Sequence, residues 1–408
     1  MRAPTFDAIE QIRQFNAGRE PQRLAMKYAA MRRGAFPFLR ASCHLFYARL
    51  PSDPFLSAAP PAWCCGDLHL ENFGSYKGDR GGDKRLAYFD INDFDESALA
   101  PLSWDVLRFM TSVLVGAKDM GLLRREAHAL CLAFLDAYAA TLAGGKAGWI
   151  EAETTGGLVR ALLDEVAQRS RLDFLDRRTE IKGKRRRIRI DGKKALAASD
   201  TERAHVAALL DRFARTQDTP AFFAPLDVAR RIAGTGSLGL ERYIILVQGK
   251  GGTDGNHLLD MKLAQMSSLA PYVPDAQPAW NTQAQRIVAV QGRMQAVTMA
   301  FLHALDARQG SYVLRALLPS EDRVTLDRTQ SSMSDFTAVV RTMGKVAASA
   351  HLRGAGRDGS AIADALIDFG PRQQWRAALL GMALDCAEHV QRDWAAYCAA
   401  YDDGAFAP

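Results

Sequence analysis

The stretch that most constrains this chain is Gly66-Asp67-Leu68-His69-Leu70-Glu71-Asn72-Phe73-Gly74, followed after a polar loop by Tyr88-Phe89-Asp90-Ile91-Asn92-Asp93-Phe94-Asp95-Glu96. A Gly-Asp pair opens a short loop, and Asn72 falls five residues beyond Asp67. The apolar run through Tyr88 and Phe89 predicts a strand that ends in a knot of carboxylates. Such a layout sets hard oxygen donors beside an acid, which suits Mg²⁺ and a nucleoside triphosphate such as ATP. Asp67 would orient a hydroxyl, while Asn72 and Asp93 would offer oxygens to Mg²⁺. The plain alternative is a solvated acidic hairpin loop, because Asp and Asn are ordinary turn formers.

The spacing resembles the D-x-x-x-x-N catalytic loop of protein kinases with a D-F-G-like strand end. It is more similar to the aminoglycoside and choline phosphotransferases, whose G-D-L-H-x-x-N loop is matched by Gly66, Asp67, Leu68, His69 and Asn72. That resemblance implies a catalytic role for Asp67 and His69. Those enzymes usually carry His before the Gly-Asp pair, and this chain has Cys65. The same resemblance places, about a dozen residues after the strand-end Asp, a helix-opening Asp that braces the loop amides. Asp105 stands twelve residues after Asp93, which selects Asp93 as metal ligand over Asp90 and Asp95. Asp105, Asp90 and Asp95 are then supporting residues, although an Asp in a first helical turn also suits the helix dipole without any function.

A second motif is Gly234-Thr235-Gly236-Ser237-Leu238-Gly239, a GxGxxG. A dinucleotide fold requires a helix after such glycines, yet Leu240–Gln248 is aromatic and β-branched and predicts a strand. Strand, glycine loop and strand is the arrangement that covers ATP phosphates in kinases. The next predicted strand, His257–Ala264, carries Lys262 within an apolar run, where a lysine needs a partner if buried. A solvent-facing edge lysine is the alternative. Its expected role is to hold the α- and β-phosphates. A helix is predicted over Thr282–Leu305. It holds no Glu, and Gln291 is taken as the partner of Lys262 from among Gln285, Gln291 and Gln295. Ser311–Leu318 predicts a strand leading to a hinge beside the adenine, and Phe336–Leu352 a long helix.

These motifs stand in an unusual order, acidic loop first and glycine loop later. The expected fold class is therefore α+β: a protein-kinase-like two-lobed fold, circularly permuted. Residues 1–225 form the helical lobe with the catalytic and metal-binding loops, 226–325 a small β-rich nucleotide lobe, and 326–408 helices returning to the first lobe. Permutation is tolerated where termini fall on surface loops.

The chain has 408 residues, 48% of them hydrophobic and 24% charged, an ordinary globular balance with ample material for a core. Met1–Arg19 shows no apolar secretory segment, and no uncharged apolar run reaches membrane-spanning length. Six cysteines without CxxC spacing read as reduced thiols and point to the cytoplasm. Much of the net charge of +6 lies in Lys182–Lys194. That segment reads as a basic hairpin, about 181–195, turning at Asp191-Gly192. A solvated surface is its plainest reading, and nucleic-acid binding ranks last because no recognised module accompanies it. Arg40 is singled out as a phosphate or carboxylate partner, against the plainer alternative of an exposed arginine.

Across Gly66–Gly74, Phe89–Glu96, Trp104–Arg108, the glycine loop, the Lys262 strand and the Ala347–His351 helix end, the whole chain resembles a bacterial family of unknown function, DUF2252. The resemblance implies a kinase-like ATP-binding fold and supplies no acceptor. The expected activity is Mg²⁺- and ATP-dependent phosphoryl transfer to a small-molecule or protein hydroxyl. The alternatives are nucleotidyl (AMP) transfer in the same pocket and a non-catalytic, pseudokinase-like nucleotide binder.

Overall fold

The computed structural model describes residues 6–78, 86–274, 276–319 and 322–407. Five short helices open it: α1 (Ala8–Phe15), α2 (Pro21–Arg32), α3 (Ala35–Ala41), α4 (Cys43–Ala48) and α5 (Pro54–Ser57). Asp7 and Glu20 start the first two by accepting the free amides of their first turns, and Pro21 at the head of α2 has no amide to satisfy. Four strands follow, β1 (Pro61–Cys64), β2 (Phe73–Lys77), β3 (Ala87–Ile91) and β4 (Ala98–Pro101). β1 pairs with β4 and β2 with β3, both antiparallel. These two ribbons set the 65–72 loop against the 92–97 loop, which is how the two acidic motifs come together.

Next come α6 (Ser103–Gly116), α7 (Arg124–Gly144) and α8 (Gly157–Gln168). α6 is buried around almost its whole circumference, as expected of a central core helix. Ser103, the first residue of α6, donates its hydroxyl to the Leu56 carbonyl at 2.7 Å. α7 is long and apolar enough to cross a membrane by length and composition, yet more than half of its apolar window is buried inside the protein.

The sheet unit starts earlier than residue 226. It comprises α9 (Arg171–Arg178), β5 (Thr179–Lys182), β6 (Arg185–Ile188), β7 (Ala195–Ala197), α10 (Asp200–Ala214), β8 (Pro225–Arg231), β9 (Arg242–Val247), β10 (His257–Leu263), α11 (Gln283–Met294), β11 (His303–Asp306) and β12 (Ser311–Ala316). Six strands form one antiparallel sheet in the order β11-β12-β10-β9-β8-β7. Alternation gives it two faces. One carries Tyr243, Ile245, Leu259 and Met261 against Val206, Leu209 and Leu210 of α10. The other carries Ile244, Leu246 and Leu258 against Leu175 and Ile188. The basic segment thus differs from its solvated reading: β5 and β6 turn at Gly183, Asp191-Gly192 leads on into β7, and Arg186 and Ile188 are buried. Likewise the helix expected to reach Leu305 stops at Met294, and its last residues form β11.

Finally α12 (Met333–Gly354), α13 (Ala363–Phe369) and α14 (Gln374–Asp402) return to the first unit, α12 and α13 along α7 and α14 along α6. Phe336, Val339, Val340, Met343 and Ala347 recur at helical spacing and enter the same core as Phe109 and Phe134. The molecule is α+β, with helices and strands segregated rather than alternating.

Candidate active site

β1 leads through the buried Cys65 and Gly66 to Asp67, which lines a cleft of about 750 Å³ between the helical unit and the sheet. Gly66 has φ +83°, and a Cβ there would lie 2.0 Å from the carbonyl oxygen of Glu96. Only glycine lets the two loops touch backbone to backbone. Asp105, fully buried in the first turn of α6, accepts from the amides of Cys65 at 2.8 Å and Gly66 at 2.9 Å. Behind it His351 Nε2 lies 3.3 Å from Asp105 Oδ2, and His351 Nδ1 lies 2.6 Å from the Tyr138 hydroxyl. With Tyr138 donating to Nδ1, Nε2 carries the proton toward the carboxylate. Cys64, Asp105 and His351 are close enough to suggest a metal cluster. The amide bonds to both Asp105 oxygens explain it as a brace.

Asp67 meets Arg108, a fully buried residue of α6, through one oxygen: Nε and Nη2 lie 3.0 and 2.7 Å from Oδ1. Burial pushes the Asp67 carboxyl above its usual pKa, against the pull of Arg108. Its Oδ2 faces His69 Nε2 at 3.8 Å. His69 Nδ1 accepts from the Glu71 amide at 3.1 Å, so Nε2 bears the hydrogen of the neutral ring. Burial, reinforced by Arg40, Arg108 and Arg323, holds this imidazole far below its ordinary pKa.

Asn72 is committed to backbone. Its Nδ2 donates to the carbonyls of Asp67 and Asp93 at 3.0 and 3.1 Å, and its Oδ1 accepts from the Asp93 amide at 2.8 Å. It therefore clamps the two loops together instead of aiming its oxygen freely into the cleft. The Asp93 side chain is 48% exposed and open to the cleft. Burial raises its pKa, but Lys262, Arg315, Arg242 and Arg323 outweigh that and hold the carboxylate below its usual range.

Lys262 Nζ reaches Asp93 Oδ2 at 3.9 Å and makes a closer ion pair with Asp95. It is buried, not an edge lysine facing solvent. Its expected partner Gln291 lies elsewhere, donating to Gln295, the residue that caps the end of α11, at 3.1 Å. The α11 residue that reaches the acidic loop is Arg286, donating to the carbonyls of Asp95 and Gln265 at 2.8 and 2.9 Å. Two residues before Lys262, on the same face of β10, buried Asp260 is ringed by Arg231 at 2.6 Å, Arg242 at 2.7 Å and Arg315 at 3.3 Å. These arginines hold Asp260 far below its ordinary pKa against burial.

The glycine loop joins β8 to β9 and lines the same cleft with Gly234, Thr235, Gly236, Ser237 and Gly239. Gly234 and Gly239 have φ of +71° and +87°. The loop is tied down to the first helices: Arg19 donates to the carbonyls of Gly236 and Leu238 at 2.7 and 3.0 Å, and Lys27 to Gly236 at 3.1 Å. Among the described residues, the amides of Thr235, Gly236, Leu238 and Gly239 have no protein acceptor.

A family model described as an uncharacterised protein conserved in bacteria, DUF2252, matches residues 19–400. The chain belongs to this family. Neither a curated protein nor a solved structure matches it.

In this DUF2252 member Asp67, His69, Asn72, Asp93, Asp95, Lys262 and the glycine loop line one cleft. Asp105 lies directly behind it. Asp90 lies apart, accepting from the amides of Ile91 and Ala296 at 2.8 and 2.9 Å. Sequence reasoning did not assign Arg108, Arg19, Lys27, Arg286, Arg323 or the Asp260 cluster. Only Arg108 carried a signal, as the last residue of the DUF2252-like Trp104–Arg108 stretch. A lone arginine in an amphipathic stretch reads as solvated unless its partner is known.

Proposed function

We propose that the cleft transfers a phosphoryl group from ATP to a hydroxyl acceptor, in a kinase-like fold whose catalytic loops precede the nucleotide lobe. One observation carries the reading: Lys262 and the glycine loop face Asp67 and Asp93, from distant stretches of chain, across a single cleft. The order of glycine loop, lysine strand, helix and two further strands matches the parts a kinase uses to grip phosphates. Free loop amides and a buried lysine suit phosphate oxygens. The exposed Asp93 carboxylate, with Asp95 and the Oδ2 of Asp67 that Arg108 leaves unbonded nearby, is a hard donor set that fits Mg²⁺. When bound, Mg²⁺ would offset phosphate charge during transfer. Asp67 would take or steer the acceptor's proton through Oδ2, Arg108 holding its other oxygen. Six cysteines, all free and five of them buried, fit a cytoplasmic setting for this chemistry.

The test is turnover of Mg²⁺·ATP over a panel of hydroxyl compounds. Asp67→Asn should lower the rate by about 10²–10⁴ while nucleotide-dependent thermal stabilisation persists. Undiminished turnover in that variant ends the proposal. Product mass separates an added phosphoryl from an added AMP. The commitment of Asn72 Oδ1 to the Asp93 amide favours a second reading, a nucleotide binder without catalysis. Stabilisation by Mg²⁺·ATP with no transfer to any acceptor selects it.

A further inference from the structure

On the cleft wall that carries His69, two arginines converge on one carboxylate oxygen. Arg40 Nη1 and Arg323 Nη1 lie 2.5 and 2.8 Å from Oε2 of Glu71. Arg40 projects from the last turn of α3, its guanidinium 5.8 Å over the Phe36 ring. Its side chain is only 14% exposed, and its Nε is buried with no hydrogen-bond partner. Arg323 lies on the connection between β12 and α12. Each guanidinium has five N–H donors in a planar fork. Here one carboxylate oxygen answers two forks, which leaves both donors and positive charge over. Glu71 is the loosest member of the trio: it sits on the single turn Leu70–Asn72, and its side chain is 41% exposed.

The pair lines the cleft together with Asp67 and His69. Both guanidiniums act on the His69 ring, and Arg40 also acts on Asp67. The glycine loop and Lys262 belong to the sheet unit, whereas Arg40 and Glu71 belong to the wall that bears the acid.

We propose that Arg40 and Arg323 form an anion subsite for the acceptor, with Glu71 occupying the place of the acceptor's own anionic group. The acceptor is then a hydroxyl compound bearing a phosphate or carboxylate, not a neutral or cationic one. This identification of the ligand as the acceptor rests on the phosphotransfer reading; the anion subsite itself does not. Paired arginine forks match the two oxygens of such groups, and the ligand's arrival would swing Glu71 toward water.

The test is calorimetric titration of inorganic phosphate and, separately, of malonate, with and without a saturating non-hydrolysable ATP analogue and Mg²⁺. Glu71→Gln should tighten anion binding about tenfold, because a competing charge is gone, and Arg323→Gln should weaken it at least about tenfold. Arg323 is 37% exposed and its loss should leave the fold intact. Arg40→Lys gives an independent check, with the charge retained and the fork lost. The stronger of the two probes identifies the anionic group. No anion binding to the wild type, or equal binding to wild type and Arg323→Gln, overturns the subsite. Loss of anion binding when the analogue is present overturns the acceptor assignment, since the arginines then grip the donor's phosphates. Failure of the analogue to bind at all counts against phosphotransfer, and the anion titrations then judge the subsite alone.

Discussion

Arg108 holds Asp67 by a single oxygen, with Nε 3.0 Å and Nη2 2.7 Å from Oδ1, and leaves Oδ2 turned toward His69. The guanidinium also donates to the Leu39 carbonyl at 2.8 Å, so α6, α3 and the Gly-Asp loop meet at one side chain. The pair serves position as much as stability, because a carboxylate held at one oxygen presents the other in a constant direction.

Removing the arginine should therefore expose the cost of an unpaired acid. Arg108→Met is expected to lose about 2–3 kcal/mol, below the ~3–5 kcal/mol typical of broken buried pairs because the Asp67 side chain keeps some water access. Asp67→Asn added to that variant should recover part of the loss, since no charge is then left stranded. Denaturant unfolding of the single and double variants measures both. Equal stability of wild type and Arg108→Met would show that the pair is not what anchors this loop.

Gly66 and Gly183 form a controlled comparison of two left-handed glycines. At Gly66 a Cβ would strike the Glu96 carbonyl at 2.0 Å, whereas at Gly183 it would meet nothing within 4 Å. Gly183→Ala should cost only the backbone term of about 1–2 kcal/mol. Gly66→Ala must in addition push the two acidic loops apart and should cost well beyond that. Thermal midpoints of the two variants, read side by side, decide it. A Gly66→Ala protein no less stable than Gly183→Ala would mean that the loops are not in backbone contact.

His44 gives a pH dependence whose sign can be worked out. Its ring stacks on Phe15 with centroids 3.9 Å apart, and burial, with the charges of Lys27 and Arg19, lowers its pKa to about 3. Unfolding releases the ring to water, where its pKa is about 6.5. Between those values the unfolded chain binds a proton that the folded chain refuses, so stability falls as pH falls. The slope should approach about 1.4 kcal/mol per pH unit for this one histidine. His44→Phe, which keeps the stack, should flatten the stability profile between pH 6 and 4 by that amount. An unchanged profile would place the ring in contact with water in the folded state.

Much of the helical framework was readable from periodicity. The stretch read as a helix at 336–352 lies within α12, and apolar residues also recur at helical spacing through α7, α8 and α14. The layout of one loop was also readable: Asp67 and Asn72 share the short 65–72 loop, and, as the phosphotransferase resemblance implied, an Asp twelve residues past Asp93 reaches the Cys65 and Gly66 amides. The strand character of Leu240–Gln248 kept the glycines from being read as a dinucleotide turn. Reading failed where a side chain's partner came from a remote element. Gln291 was matched to Lys262 by analogy, but the lysine turned to Asp95 on its near side. The basic segment looked solvated because alternation shows that a strand has two faces without showing what covers either, and here the helix Arg171–Arg178 and the sheet enclose Arg186 and Ile188.

By itself, then, the order of residues determined which segments coil, which extend, and which acids share a turn, because those properties depend on neighbours a few bonds away. The pairing of Lys262 with two aspartates, the single-oxygen grip on Asp67 and the meeting of Arg40 with Arg323 were decided only when distant segments packed. Long charged side chains take their partners from whatever surface arrives opposite them, and no local spacing records which surface that is.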